Sequence, residues 1–472
     1  MDREKSLLKN TLIITIGRIC TQMITFFLLP LYTTLLSTEE YGIVDLLNTF
    51  VSLLLPIITL QVEQAVYREL IEERKNENKK REIISNSFFT VTIQIIIYLI
   101  IFMLISPIIN NKYKYFLATN VVAHIFSSLF MQIARGLGEN KKYAIASFLS
   151  ALFTTVFNII FIAKLNLGAQ GMLLGIVLGQ ILCATYSFIT LKLYKYIEFK
   201  QCNKNVIKRM WRYSAPLIPN AISWWVFNAS DRVIVSAILG VSFNGLLSAA
   251  TKFSTVYITM YNIFNISWTE SISLHINDVD IKDYFKKMFN IVLSLFTAIA
   301  VGMIAVMPFV YPLMINQKFN GGYCIVPILI IASLFNVMVG LISVIYVAKR
   351  NTRAIANTSL ISAIINIVVH LILIKYIGLY AAAVSTFIAF FAMSVYRLYD
   401  IKKQYFKIQV ERKLVFSGLI SLIIVCITYY INNLYLNIIS FIYAVVFAII
   451  LNRKSIQNIT SLLKNKIEKI SK

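Results

Sequence analysis

A chain of 472 residues that is 58% hydrophobic and only 14% charged is not a soluble globular protein, where about a quarter of residues carry charge. It is read as an integral membrane protein with many spans. Its 45 Lys and Arg against 21 Asp and Glu could suggest nucleic acid, but the basic residues sit in short loops between apolar runs, the pattern of membrane topology, and a nucleic-acid partner is excluded. The five cysteines are scattered and His124, His275 and His370 stand alone, so neither a metal site, a cofactor nor a disulfide framework is indicated. The first apolar stretch is too long for the core of a cleavable signal peptide.

A helical span needs about 20 mostly apolar residues. On that rule the sequence predicts fourteen spans: 10–36, 41–67, 84–109, 115–137, 143–164, 169–194, 213–238, 245–272, 286–315, 323–347, 353–376, 378–400, 414–432 and 434–451. Of the 45 basic residues, 37 fall in the N-terminus, in or at the edges of the alternate loops after spans 2, 4, 6, 8, 10 and 12, and in the tail. Five (Lys112, Lys114, Lys164, Lys318, Lys375) fall in or at the edges of the opposite loops, and three (Arg18, Arg232, Lys252) lie deep inside spans. Both termini are therefore expected to be cytoplasmic. The tail 453–472 spaces Ile456, Ile459, Leu462, Leu463, Ile467 and Ile470 among lysines and reads as an amphipathic helix on the inner surface.

The chain repeats itself at a shift of roughly 203 to 210 residues. Leu36–Gly42 ends one span and opens the next with Tyr41-Gly42, and Leu239–Gly245 does the same with Asn244-Gly245. Gly168-Ala169-Gln170-Gly171 matches Gly378-Leu379-Tyr380-Ala381, and Tyr186 falls on Tyr396. Six spans per copy is an even number, so the copies are parallel. The expected fold is an all-α polytopic membrane protein of about fourteen transmembrane helices: two parallel six-helix lobes, 1–205 and 206–410, two extra helices, 411–452, and the basic tail, 453–472. Substrate sites in such folds lie between lobes that alternate in access.

Four spans carry polar faces. Span 1 has Thr11, Thr15, Arg18, Gln22 and Thr25 at steps of three and four, one helical face. Span 2 has Asp45, Asn48, Ser52, Thr59 and Glu63 with Pro56; span 7 has Asn220, Ser223, Asn228, Asp231 and Arg232; span 8 has Ser248, Lys252, Thr255, Thr259, Asn262, Thr269 and Glu270. At a shift of 203, Asp45 meets Ser248, Ser52 meets Thr255 and Thr59 meets Asn262. Such faces either hydrogen-bond to neighbouring helices or line a water-filled lumen. The ionisable residues favour a lumen, and the excess of Arg18, Arg232 and Lys252 in it suits an anionic ligand. Asp231, Asp45, Glu63 and Glu270 are the candidate ion-coupling residues or charge partners. Pro30, Pro56, Pro216 and Pro219 interrupt these spans and are hinge candidates, with Pro308 and Pro312 in span 9.

At this point the chain resembles a known family. Leu8-Lys9-Asn10-Thr11 through Gly17-Arg18, Leu29-Pro30-Leu31-Tyr32, Tyr41-Gly42, Trp211-Arg212-Tyr213-Ser214-Ala215-Pro216-Leu217-Ile218-Pro219, Ser230-Asp231-Arg232, Leu239-Gly240 and Lys252-Phe253-Ser254 are similar in order and spacing to the Wzx-type polysaccharide flippases of the multidrug/oligosaccharidyl-lipid/polysaccharide exporter superfamily. The resemblance implies two lobes around a cationic cavity. It implies movement of undecaprenyl-diphosphate-linked O-antigen or capsule repeat units from inner to outer leaflet, driven by a proton or sodium gradient. It also implies pathway partners such as a polymerase and export machinery. Trp224, Trp225, Tyr257, Tyr261 and Trp268 could then stack on sugars. Alternatives within the superfamily are a lipid-linked peptidoglycan-precursor flippase and a multidrug antiporter. A membrane polysaccharide polymerase is the alternative from another class, and the short outer loops argue against any enzyme.

Overall fold

The computed structural model describes residues 23–198, 201–453 and 457, without the side chains of Trp224, Phe227 and Asn228. Thr11, Thr15, Arg18, Gln22 and nearly all of the predicted amphipathic tail lie outside the described residues, as does the side chain of Asn228. The described residues form sixteen α-helices. They are α1 (Leu29–Leu35), α2 (Thr38–Ile58), α3 (Val62–Glu72), α4 (Glu77–Ile105), α5 (Lys114–Gly136), α6 (Asn140–Asn158), α7 (Gly168–Thr190), α8 (Lys204–Ser214), α9 (Leu217–Ile238), α10 (Val241–His275), α11 (Ile281–Met314), α12 (Val326–Ala348), α13 (Thr352–Ile377), α14 (Tyr380–Gln404), α15 (Arg412–Ile431) and α16 (Leu434–Leu451). Eleven helices, some extended by a flanking turn, are long and apolar enough to cross a membrane. They match every predicted span except 1, 7 and 8. Span 1 is described only from Met23, and α9 and α10, at 22 and 35 residues, are long enough but carry the polar faces that lower their hydropathy. The protein is an all-α, multi-pass membrane protein.

Packing divides the chain into two compact units, 1–248 and 249–472. In the first, Val66, Leu70, Ile84, Val121, Leu129, Ile133 and Met210 close a continuous core. There α7 packs on α6 through Gly171, Gly175 and Gly179, buried at every fourth position. A Cβ on Gly175 would collide with Asn158 of α6 and one on Gly179 with Thr154, so small residues are what let the two backbones approach. In the second unit α14 presents Ala381, Ser385 and Ala389 at the same spacing, all fully buried. There Asn366 of α13 donates to Thr386 (3.3 Å) and Ser362 to the Ala389 carbonyl (2.8 Å). The predicted Gly168/Gly378 correspondence has a backbone counterpart, since both glycines have φ +54°.

The repeat extends to a feature that the sequence did not disclose. Asn86 on α4 and Asn290 on α11 each hold the linker that precedes α8 or α15. Asn86 Nδ2 donates to Gln201 O (2.8 Å) and its Oδ1 accepts from Asn203 N (2.7 Å). Asn290 Nδ2 donates to Gln409 O (2.9 Å) and its Oδ1 accepts from Glu411 N (2.9 Å). Each amide also donates to the carbonyl four residues before it, Glu82 or Lys286.

Two predicted spans need correction. Span 2 is not one helix through residue 67. It ends at Ile58, and Leu60 (φ 49°) and Gln61 (φ 58°) adopt left-handed backbone before α3 begins. The carbonyl of Thr59 accepts from Val62 N (3.0 Å) in the turn and also from Gln94 Nε2 (3.2 Å), so α4 helps to hold the break. Span 7 does not start at 213. Residues 204–214 form the separate helix α8, Pro216 caps α9 and Pro219 sits in its first turn. Pro30 likewise lies at the start of α1, whereas Pro56 is buried inside α2 and the interruption falls beyond it.

Candidate functional site

In the first unit the charges of α2 and α9 meet. Arg232 Nε donates to Asp45 Oδ2 at 2.8 Å, with the side chains 28% and 18% exposed, so the pair is partly desolvated yet reachable from solvent. Seven residues earlier on α9, Trp225 Nε1 donates to the Thr49 carbonyl at 2.8 Å, which fixes α9 antiparallel along α2. Asn244, fully buried at the start of α10, donates to Gly42 O (2.9 Å) and lies 3.4 Å from the same Asp45 oxygen.

These contacts obey the repeat. A Cβ on Gly42 would strike Val241 O and stand 2.8 Å from Gly245 N, and one on Gly245 would strike Thr38 O. The two glycines are repeat equivalents, and they lie back to back. Around them Tyr41 hydrogen-bonds to Ser248, and Asn244 reaches Asp45. At a shift of 203 Tyr41 corresponds to Asn244 and Ser248 to Asp45. Each contact is therefore the image of the other, as in a two-fold interface. One of the four positions carries a charge, and Arg232 neutralises it.

The remaining sequence candidates divide. Asn48 is taken up by α5, accepting from Asn120 Nδ2 at 3.0 Å, so it joins helices. Ser52 and Asn220 are exposed in the first unit, and Thr255, Asn262 and Glu270 are exposed along α10 in the second. Asp231 and Lys252 are half-buried and each interacts with a neighbour. Glu63 is not on the α2 face at all. It lies on α3, past the end of the span, 8% exposed. Its Oε2 has no hydrogen-bond partner among the described residues, and burial pushes its carboxyl pKa upward against the hydrogen bond from Thr59.

The proposed sugar-stacking role fails for most of the aromatics. Tyr257, Tyr261 and Trp268 are buried inside the second unit. Tyr257 donates to Phe296 O (2.9 Å), Tyr261 to Asn265 (2.9 Å) and Trp268 to Leu341 O (3.3 Å), while Trp225 is spent on Thr49. They are packing residues.

Sequence reasoning missed Arg397, counted with a basic loop. It is 2% exposed on α14. Its guanidinium donates to Thr358 (2.7 and 3.0 Å), Ser359 (3.2 Å) and Ser343, and lies 5.9 Å from the Tyr346 ring. The signal was the row of hydroxyls on neighbouring spans, which a single-span reading does not connect. Each unit also carries an apolar groove. One of about 700 Å³ is bounded by α2, α4 and α8, and one of about 970 Å³ runs along α15.

A many-helix membrane protein with small-residue helix packing and polar faces on its repeat-equivalent helices is built as a transporter is built. The chain belongs to the polysaccharide biosynthesis protein family, whose model matches residues 7–269. It is 22% identical over 430 residues to the uncharacterized membrane protein MJ1375 of Methanocaldococcus jannaschii, covering 84% of this chain and 99% of that one. Among solved structures it is similar to the lipid II flippase MurJ in an inward closed conformation (TM-score 0.69, 17% identity, 95% of this chain and 100% of that one). It is also similar to an inward-facing multidrug resistance MATE transporter of the MOP superfamily (TM-score 0.66, 13% identity, 83% and 99%). These likenesses establish a shared fold.

Proposed function

We propose that the protein is a flippase that carries an undecaprenyl-diphosphate-linked oligosaccharide repeat unit from the inner to the outer leaflet of a bacterial plasma membrane. The observation that carries the reading is the family match, which spans the helices holding Asp45, Arg232 and Lys252. A diphosphate needs cations in a site of lowered polarity. Arg232 and Lys252, with Arg18, are the cations assigned to it, for O-antigen or capsule units alike. Arg232 is held by Asp45 in the described state, so anion binding would exchange one carboxylate partner for a phosphate. Glu63, protonated more readily because it is buried, is the candidate carrier of a coupling proton, with Asp231 and Glu270 as further candidates. Both termini are assigned to the cytoplasm, and the polymerase and export machinery of the same pathway are the expected partners.

The test is surface glycan in a strain lacking the protein. Loss of polymer, with lipid-linked units accumulating inside and rescue by the wild type but not by expressed Arg232→Ala or Lys252→Ala, supports the reading. Normal polymer without accumulation, in a strain with no second flippase, removes it. The likeness to MurJ favours a second reading, a peptidoglycan-precursor flippase. Lysis on depletion and accumulation of precursor, rather than loss of surface polymer, would select that one.

A further inference from the structure

We infer that the groove between α2, α4 and α8 is the berth of the polyprenyl chain of the lipid carrier, with the carrier's phosphates held by the cation row of α8; the assignment rests on the lipid-linked reading above. The groove wall is hydrocarbon: Leu54 and Ile57 from α2, and Ile93, Ile97, Ile101 and Ile105 from α4. Ile57, Ile93, Ile97, Ile101 and Ile105 are all more than a third exposed. Thr90, Gln94 and Tyr98 also border it, but their unpartnered oxygen atoms are themselves buried, so they add almost nothing polar to its surface.

Its mouth is different in chemistry. Ile207 and Trp211 of α8, four residues apart, complete the lining. Val206 and Met210, on the next row, are buried in the core and fix the helix in place. Lys204, Lys208 and Arg212 form a third row at the same four-residue step, all exposed. On a helix surface Lys204 neighbours Ile207 and Lys208, and Lys208 neighbours Trp211 and Arg212. A line of three cations thus runs beside the apolar entrance. Arg209, on another face, is paired with Glu69 and is not part of it (2.7 Å).

Length selects the occupant. From Ile93 to Ile105 the α4 wall rises about 18 Å at 1.5 Å per residue, and Ile109 and Leu117 also line the groove. One leaflet of a hydrocarbon core about 30 Å thick is about 15 Å deep. The wall is longer than one leaflet is deep, so an occupant that fills it from a head group at the cytoplasmic face crosses the bilayer midplane, as a long isoprenoid does. An anionic head on the cation row with a long apolar tail above it is a polyprenyl phosphate or diphosphate.

The experiment uses the full-length protein in phosphatidylcholine nanodiscs. Two probes are compared: a polyprenyl diphosphate and a phosphatidylglycerol, each with a photoreactive group near the end of its tail. Labelled peptides are mapped by mass spectrometry. The expected result is labelling of the 97–109 segment by the prenyl probe, competed by unlabelled undecaprenyl diphosphate. It should fall at least five-fold in Lys204→Gln/Lys208→Gln/Arg212→Gln and in the groove-filling Ile101→Trp, both checked for monodisperse elution. Equal labelling by the phosphatidylglycerol probe overturns the assignment in favour of bulk lipid. Label confined to the α15 groove overturns it while leaving the lipid-linked reading intact. No prenyl labelling anywhere in the chain overturns both.

Discussion

Gly42 and Gly245, equivalent positions in the two copies of an internal repeat, lie back to back, so close that a methyl group on either would strike the other's helix. The contact leaves room only for glycine on both sides. Gly42→Ala and Gly245→Ala are each expected to lower stability by about 1–3 kcal/mol, the usual cost of overpacking. Thermal unfolding in detergent measures it. Gly302, mid-helix with open space where a Cβ would go, is the control: Gly302→Ala should be neutral or stabilising. Equal effects at all three positions would mean that the contact is not tight.

The Arg232–Asp45 pair invites a double-mutant cycle. Removing either partner leaves a partly desolvated charge, at about 1.5–3 kcal/mol for a hydrogen bond to a charged group. Asp45→Asn and Arg232→Gln should each lower the unfolding temperature, and the double variant should lose less than their sum. If transport also needs Arg232 itself, Asp45→Asn will retain more surface glycan than Arg232→Gln. Additive losses would show that the two side chains act independently.

Glu63 carries a pH signature. Burial holds its carboxyl above the ordinary value of 4.5, so the fold favours the protonated form. The stability that it lends is complete below that ordinary value and is lost as pH rises through the raised one. Glu63→Gln stays neutral throughout. Its unfolding temperature relative to wild type should therefore rise as the pH climbs above the ordinary value of 4.5. A parallel pair of curves would place the carboxylate in water.

Asn86 and Asn290 each satisfy two backbone groups of a linker. Asn86→Ala or Asn290→Ala leaves those groups without their partner, at about 1–3 kcal/mol. Limited proteolysis should then cut the 405–411 segment faster in Asn290→Ala, and the stretch ahead of α8 faster in Asn86→Ala, each without affecting the other linker. Unchanged cleavage at both would show that the linkers are held by other means.

Composition and run length alone disclosed eleven of the fourteen predicted spans, because hydrocarbon demands a helix of a given length whatever surrounds it. The Gly168 and Gly378 turns were legible for a related reason, since a positive φ selects glycine locally. The break at Leu60 and Gln61 was not legible. Neither residue is one that favours left-handed backbone, and Gln94 from another helix helps to hold the break. Arg397 hid in the same way, its counterparts being hydroxyls up to 54 residues away. Asp45 and Arg232 were both visible as charges in apolar helices, but 187 residues separate them, and no periodicity reports that they meet.

The paired asparagines have a consequence for how such a chain is assembled. The same socket occurs twice, an asparagine on α4 or α11 that receives the backbone ahead of α8 or α15. After the first socket come α8 and the helices that repeat the first copy; after the second, among the described residues, come α15 and α16. What is plugged in is thus independent of the socket that receives it. The helices after residue 411 are nonetheless fastened beyond the socket, since Tyr429 of α15 donates to Tyr323 O (2.6 Å) and Ser294 of α11 donates to Asn452 (2.9 Å), so α15 and α16 are committed to the helices upstream of them.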